Sequence, residues 1–213
     1  MAEVESFKII FLGEMGVGKT SIIVRFTDRA FYEDTDFLMN TGFFIKSVIC
    51  DNSKKLEIGI WDTAGMERHQ TFTKMFFRDA KAAILVYDIT SKYSFEELQN
   101  NWVKLLKEQN LPNIILAIVA NKSDLNEEVV VDEKTGRKFA KSLGAIFVST
   151  SAKNEESIND LFIQIVKKYT HSNNIKILET DDELMLHQVK KDSVKIQRER
   201  EHKRKKPKYN YYC

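Results

Sequence analysis

The 213-residue sequence predicts an α/β fold: a six-stranded, mostly parallel sheet with one antiparallel strand, and about five helices in layers on both faces. Three observations predict it. Short apolar, β-prone runs alternate with helix-like segments over most of the chain, which implies parallel strands joined by crossovers. Two neighbouring strand-like runs are separated only by a short polar turn, which forces that pair to be antiparallel. Every motif with recognisable chemistry falls just after a strand, where open parallel sheets bind their ligands.

In chain order, Phe7-Lys8-Ile9-Ile10-Phe11-Leu12 reads as a buried parallel strand. A glycine-rich loop follows, and Ser21 to Phe26 spaces its apolar residues for one side of a helix. Thr27 to Thr41 is polar and without period. Gly42 to Asp51 and Leu56 to Trp61 are the antiparallel pair, turning at Asn52-Ser53-Lys54-Lys55. Trp61-Asp62-Thr63-Ala64-Gly65 follows, leading into Met66 to Ala80. After the strand Ala82 to Asp88, Ser94 is placed to cap a helix towards Glu108, with Phe95, Leu98, Trp102, Leu105 and Leu106 on one stripe. The remaining elements are strand Ile114 to Ala120, helix Asp132 to Ser142, strand Ala145 to Ser149 and helix Ser157 to Tyr169. The domain is expected to span 1–170, with 171–213 as a flexible basic tail.

Composition narrows the class. The apolar fraction is 43%, enough for a core, and no run approaches the roughly 18 apolar residues of a membrane span. The acidic Met1-Ala2-Glu3-Val4-Glu5-Ser6 lacks the features of a signal peptide. With only Cys50 and Cys213, a reducing cytosolic setting is expected. The net charge of +2 is uneven: residues 171–213 hold 11 Lys+Arg against 7 Asp+Glu, leaving the rest at −2. The basic excess therefore belongs to the tail, which argues against a nucleic-acid face on the domain.

Gly13-Glu14-Met15-Gly16-Val17-Gly18-Lys19-Thr20-Ser21 fits the phosphate-loop pattern G-x-x-x-x-G-K-[ST], between a strand and a helix as that pattern requires. Backbone N–H groups freed by the glycines, with the helix N-terminus, point at phosphate oxygens. Lys19 adds positive charge at the terminal phosphates, and the Thr20 hydroxyl can ligate Mg²⁺. Asp62 and Gly65, in D-x-x-G, can hold Mg²⁺ and offer a backbone N–H to the γ-phosphate. In Asn121-Lys122-Ser123-Asp124-Leu125, the carboxylate can accept from both the ring N–H and the exocyclic amine of guanine, a donor pair that adenine lacks. Ser151-Ala152-Lys153 can present a backbone N–H to guanine O6.

With these motifs in order, the sequence resembles the Ras superfamily of small GTPases, and within it the Rab family, over about residues 6–170. The resemblance rests on GEMGVGKTS, WDTAGMER, FFRDAKAAILVYDIT, ANKSD and STSAK. Met75 and Trp102-Val103-Lys104 are similar to the endosomal Rab branch. The resemblance implies the small-GTPase fold, GTP/GDP and Mg²⁺ as ligands, and GTP hydrolysis. Residues 32–42 and 63–78 become the switches that meet effectors, an exchange factor and a GTPase-activating protein. Phe31 would pack against the guanine ring, the alternative being a core aromatic. A monomer is expected, on the cytoplasmic face of an endomembrane, most naturally the endosome, with a cytosolic pool.

Three positions depart from the family. Met66 stands where relatives carry the glutamine that orients the attacking water, and a thioether cannot donate a hydrogen bond to it. Met15 puts bulk where small residues are usual. Asn40 aligns with the threonine that reaches Mg²⁺, with Thr41 or Thr35 as alternatives should the loop shift. The expectation is slow hydrolysis, or in the alternative a non-hydrolysing, GTP-bound scaffold; Gln70 or a partner residue could instead supply the missing function. In the tail, residues 189–208 carry 10 Lys+Arg and 3 Asp+Glu. The chain ends in Cys213, which is not a C-a-a-X box. The resemblance implies prenylation there, served by prenylation and extraction chaperones; lipid plus basic stretch would meet the two-signal requirement for membrane anchoring.

Overall fold

The computed structural model describes residues 4–32, 42–49, 55–63 and 76–172. The chain divides into two units, Met1–Lys176 and Ile177–Cys213, and every described residue belongs to the first. One six-stranded sheet organises it, in the order β2-β3-β1-β4-β5-β6. The strands are β1 (Val4–Leu12), β2 (Phe43–Ile49), β3 (Lys55–Asp62), β4 (Ala82–Asp88), β5 (Ile115–Asn121) and β6 (Ile146–Ser149). Only β2 and β3 pair antiparallel; β1 lies between β3 and β4 and is parallel to both.

The central position of β1 explains its composition. Phe7, Ile9, Ile10 and Phe11 are wholly inaccessible, because helices cover both faces. The strand starts three residues earlier than its apolar run, since Val4 to Ser6 pair with Lys55 to Glu57 of β3. An acidic start is tolerated there because the Glu5 side chain accepts from the Tyr169 hydroxyl at 2.6 Å.

Helix α1 (Lys19–Asp28) follows the glycine-rich loop. A continuous helical run packs beside β4 in three parts: α2 (Lys92–Glu97), a π turn (Leu98–Trp102) and α3 (Val103–Glu108). Phe95, Leu98, Trp102 and Leu106 are buried along it and Leu105 is partly buried, so the predicted stripe faces the core. Its cap differs from the expectation: Ser91, not Ser94, accepts from the backbone N–H of Ser94. The Ser94 hydroxyl turns back towards Asp88 and Ser91, which is why the helix begins earlier. A 3₁₀ turn (Asn126–Glu128), α4 (Glu133–Ser142, capped by Asp132) and α5 (Glu155–Ser172) complete the set. Among the described residues there are thus four helical rods rather than five. Of the stretch Met66 to Ala80, residues 66–75 lie outside the described residues; Phe76 and Phe77 are helical. No helix of the described residues is long and apolar enough to cross a membrane.

A half-buried cation joins the sheet edge to α1. The Lys46 ammonium donates to the Phe26 carbonyl and lies over the Phe26 ring, which itself stacks on Phe162 of α5. Burial, with Arg29 nearby, lowers its pKa to about 8. Since the unfolded chain keeps this proton up to its ordinary value of 10.5, the unfolded state binds more protons between about pH 8 and 10.5. Stability therefore rises with pH across that window. Urea unfolding should show the wild type gaining about 2 kcal/mol between pH 8 and pH 10 relative to Lys46→Met. Parallel pH profiles for the two proteins would contradict it.

Candidate functional site

The loop between β1 and α1 is shaped by backbone geometry that only glycine takes without strain. Gly13, Gly16 and Gly18 have φ of 139°, 80° and 93°. Gly18 caps α1 without a side chain, and the first turn holds no acidic residue. The N-terminus of such a helix, with its dipole, favours an anion. Lys19 lies under the loop, 3% exposed, donating to the carbonyls of Gly13 at 2.6 Å and Glu14 at 2.8 Å. Those bonds fix the loop's curvature and hold the ammonium at its mouth. Val17 is buried, Ser21 is half-buried, and Met15 is 60% exposed on the rim.

Beside the loop, the Thr20 hydroxyl donates to Asp62 Oδ2 at 2.5 Å, both side chains being buried. Among the described residues no group of three or more His, Cys, Asp or Glu could hold a metal ion. One hydroxyl and one carboxylate suit Mg²⁺ that draws its other ligands from phosphate and water, so the donor set fits the metal expected.

The second centre lies at the ends of β5 and β6. The Asp124 carboxylate accepts from the Ser151 hydroxyl at 2.6 Å and pairs with the Lys153 ammonium at 3.1 Å. Burial pushes its pKa up, but those two partners outweigh that and hold it below the usual carboxylate range. The group is then ionised and acceptor-only at neutral pH, as recognition of two guanine N–H donors requires. The Lys153 backbone N–H already donates to the Ser151 hydroxyl, and that of Ser151 to Ser157. Two of this segment's three backbone N–H groups are thus engaged by serine hydroxyls. Leu125 is half-buried beside Asp124. Phe31 is not a core residue: it is half-exposed, with Arg25 and Lys153 each 5.9 Å from its ring centre, at the edge of this centre.

Asn121 joins the two centres. It is 1% exposed, donates to the Val17 carbonyl at 2.8 Å and accepts from the Thr150 hydroxyl at 3.0 Å. Lys122 adopts a left-handed backbone, φ 66°, and its ammonium pairs with Asp88 Oδ2 at 2.6 Å. Asn121 and Lys122 thus brace the site through protein contacts. Three contributors escaped the sequence reading: Asp88, Thr150 and Arg25, whose guanidinium donates to the Ala152 carbonyl at 2.7 Å. The first was within reach, because Asp88 sits opposite Asn121 in the β4–β5 register and every parallel strand end is a candidate position. Gly65, Met66 and Gln70, the alternatives Asn40, Thr41 and Thr35, and Cys213 lie outside the described residues.

The Ras family model matches residues 8–171. Ras-related protein Rab-22A of Homo sapiens is 43% identical over 161 residues, covering 76% of this chain and 82% of the relative. Ras-related protein Rab-5A of Dictyostelium discoideum is 41% identical over 162 residues, with 76% and 80% covered. Ras-related protein Rab5 of Nicotiana tabacum is 38% identical over 161 residues, again with 76% and 80% covered. With two preformed centres on a Ras-type sheet and relatives of this extent, the chain belongs to the Ras family, among its Rab-type small GTPases.

Proposed function

We propose that the protein is a guanine-nucleotide switch of membrane traffic that binds GTP–Mg²⁺ and hydrolyses it slowly. The observation that carries the reading is the pairing of two centres: Lys19 with Thr20–Asp62 for phosphates and metal, and Asp124–Ser151–Lys153 for guanine, tied by Asn121. In this reading residues 13–21 wrap the phosphates, Lys19 steadies the charge that develops on them, and Thr20 and Asp62 turn from each other to the metal. Mg²⁺, when bound, would neutralise charge that develops on the phosphates. Asp124 takes the two guanine N–H groups, Ala152 donates to the base oxygen, Phe31 covers the ring, and Gly65 donates to the γ-phosphate. Asn40 or Thr41 completes the metal shell.

Slow turnover rests on Met66, which cannot position a water molecule by donating a hydrogen bond, and on Met15, whose bulk stands where water or an activating arginine would approach. The exposed rim position of Met15 supports the second part of that argument. GTP would order 32–42 and 63–78 for effectors, a GTPase-activating protein and an exchange factor. Relatives named Rab-5A, Rab5 and Rab-22A favour an endosomal address, with Cys213 prenylated and the basic tail against the anionic leaflet. The second reading, a GTP-bound scaffold without turnover, draws on the same two methionines.

The test is the nucleotide released on denaturing the purified full-length protein, with single-turnover hydrolysis of wild type and Met66→Gln. Retained GTP in the wild type and hydrolysis at least about tenfold faster in the variant are expected. Bound GDP with equal rates in both proteins would overturn slow turnover. Nucleotide found in the wild type but no hydrolysis in either protein would favour the scaffold.

A further inference from the structure

We infer that Trp102 is a positioning residue for the phosphate loop, latching Glu14 so that the loop keeps hold of its nucleotide; the inference rests on the nucleotide reading above. The indole Nε1–H donates to Glu14 Oε1 at 3.0 Å, across 88 residues of sequence. It is a contact between the π turn and the loop. An α-helix gains one extra residue per turn where it becomes π, and such turns recur at functional sites. Here the π turn closes on Trp102, leaving the side chain 8% exposed with its one polar atom directed to Glu14.

Glu14 needs a partner for an electrostatic reason. Its main-chain carbonyl is one of the two that cradle the Lys19 ammonium, so the residue is part of the loop's frame. Its side chain is a carboxylate inside a segment shaped for phosphate, and like charges at such range repel. The indole donor compensates that charge and binds the carboxylate to the helical run. The carboxylate's field is felt on that run: Glu97 first, and Glu14 after it, raise the exposed Tyr93 phenol above its ordinary range. Removing the indole N–H would release a mobile carboxylate beside the phosphates and loosen the carbonyl that holds Lys19.

The measurement is release of a fluorescent GDP analogue from the full-length protein with Mg²⁺, for Trp102→Phe in the wild-type and Glu14→Ala backgrounds. Trp102→Phe should speed release about tenfold, the equivalent of one charge-assisted hydrogen bond. In the Glu14→Ala background the same change should alter release by less than about twofold, because both the charge and the acceptor to be latched are gone. Equal acceleration in both backgrounds would mean that the indole acts through packing alone, and would overturn the latch. So would no acceleration in either. Should Trp102→Phe fail to fold, the Trp102 indole N–H resonance supplies the answer. Its hydrogen exchange should speed at least about tenfold in Glu14→Ala, and an unchanged rate would overturn the latch. A wild type that binds no GDP analogue would overturn the nucleotide reading and the latch with it; a wild type that binds normally while its variants show no coupling would overturn the latch alone.

Discussion

Asp124→Asn should lower the affinity for GDP at least about a thousandfold and raise that for xanthosine diphosphate. A site built to pair with particular polar groups rejects a mismatch by large factors, because the unmatched groups stay buried and unpaired. In the wild type both oxygens of Asp124 are acceptors, kept so by Ser151 and Lys153. An asparagine replaces one acceptor with an N–H₂ group, which faces the exocyclic amine of guanine as donor against donor. Xanthine carries an oxygen at that position and would accept from it. The Ser151 hydroxyl still finds an oxygen on the asparagine, so the segment Ser151-Ala152-Lys153 keeps its place. Competition against a labelled nucleotide measures both affinities, and unchanged GDP affinity would show that Asp124 does not read the base.

Gly13→Ala should prevent the domain from folding stably, whereas Gly16→Ala should cost only a few degrees. A Cβ on Gly13 would lie 2.2 Å from the Val86 carbonyl oxygen, on the strand adjoining β1. That oxygen is backbone in the middle of the sheet and cannot yield, and the φ of 139° adds strain. Together these exceed about 4 kcal/mol, the range in which single substitutions unfold marginal domains. Gly16 has φ of 80°, but a Cβ there would meet nothing within 4 Å, so only the left-handed strain of about 1–2 kcal/mol applies. Thermal unfolding of the nucleotide-free proteins should place Gly16→Ala within roughly 10 °C of wild type. Gly13→Ala melting as high as Gly16→Ala would refute the clash argument.

The sheet was legible because its strands speak for themselves. The runs at 9–12, 82–87 and 115–120 are apolar throughout, which only a strand covered on both faces requires. The phosphate and base motifs were legible because their residue types are dictated by the ligand: no other side chain offers what Lys19 or Asp124 offers. What escaped was the layer that serves protein rather than ligand. Asp88, Thr150 and Arg25 hold Lys122, Asn121 and Ala152, and no local pattern marks a side chain whose partner is remote in sequence. The start of α2 was missed for a similar reason. Ser91 and Ser94 are both good caps, and only the turn back to Asp88 decides between them.

The Asn121 brace also couples the phosphate loop mechanically to the end of β5. Its amide carries the Val17 carbonyl, and a Cβ on the adjoining Gly18 would come within 2.3 Å of the same amide nitrogen, so loop and base strand touch without slack. In the switch proposed above, loosening either centre should therefore loosen the other.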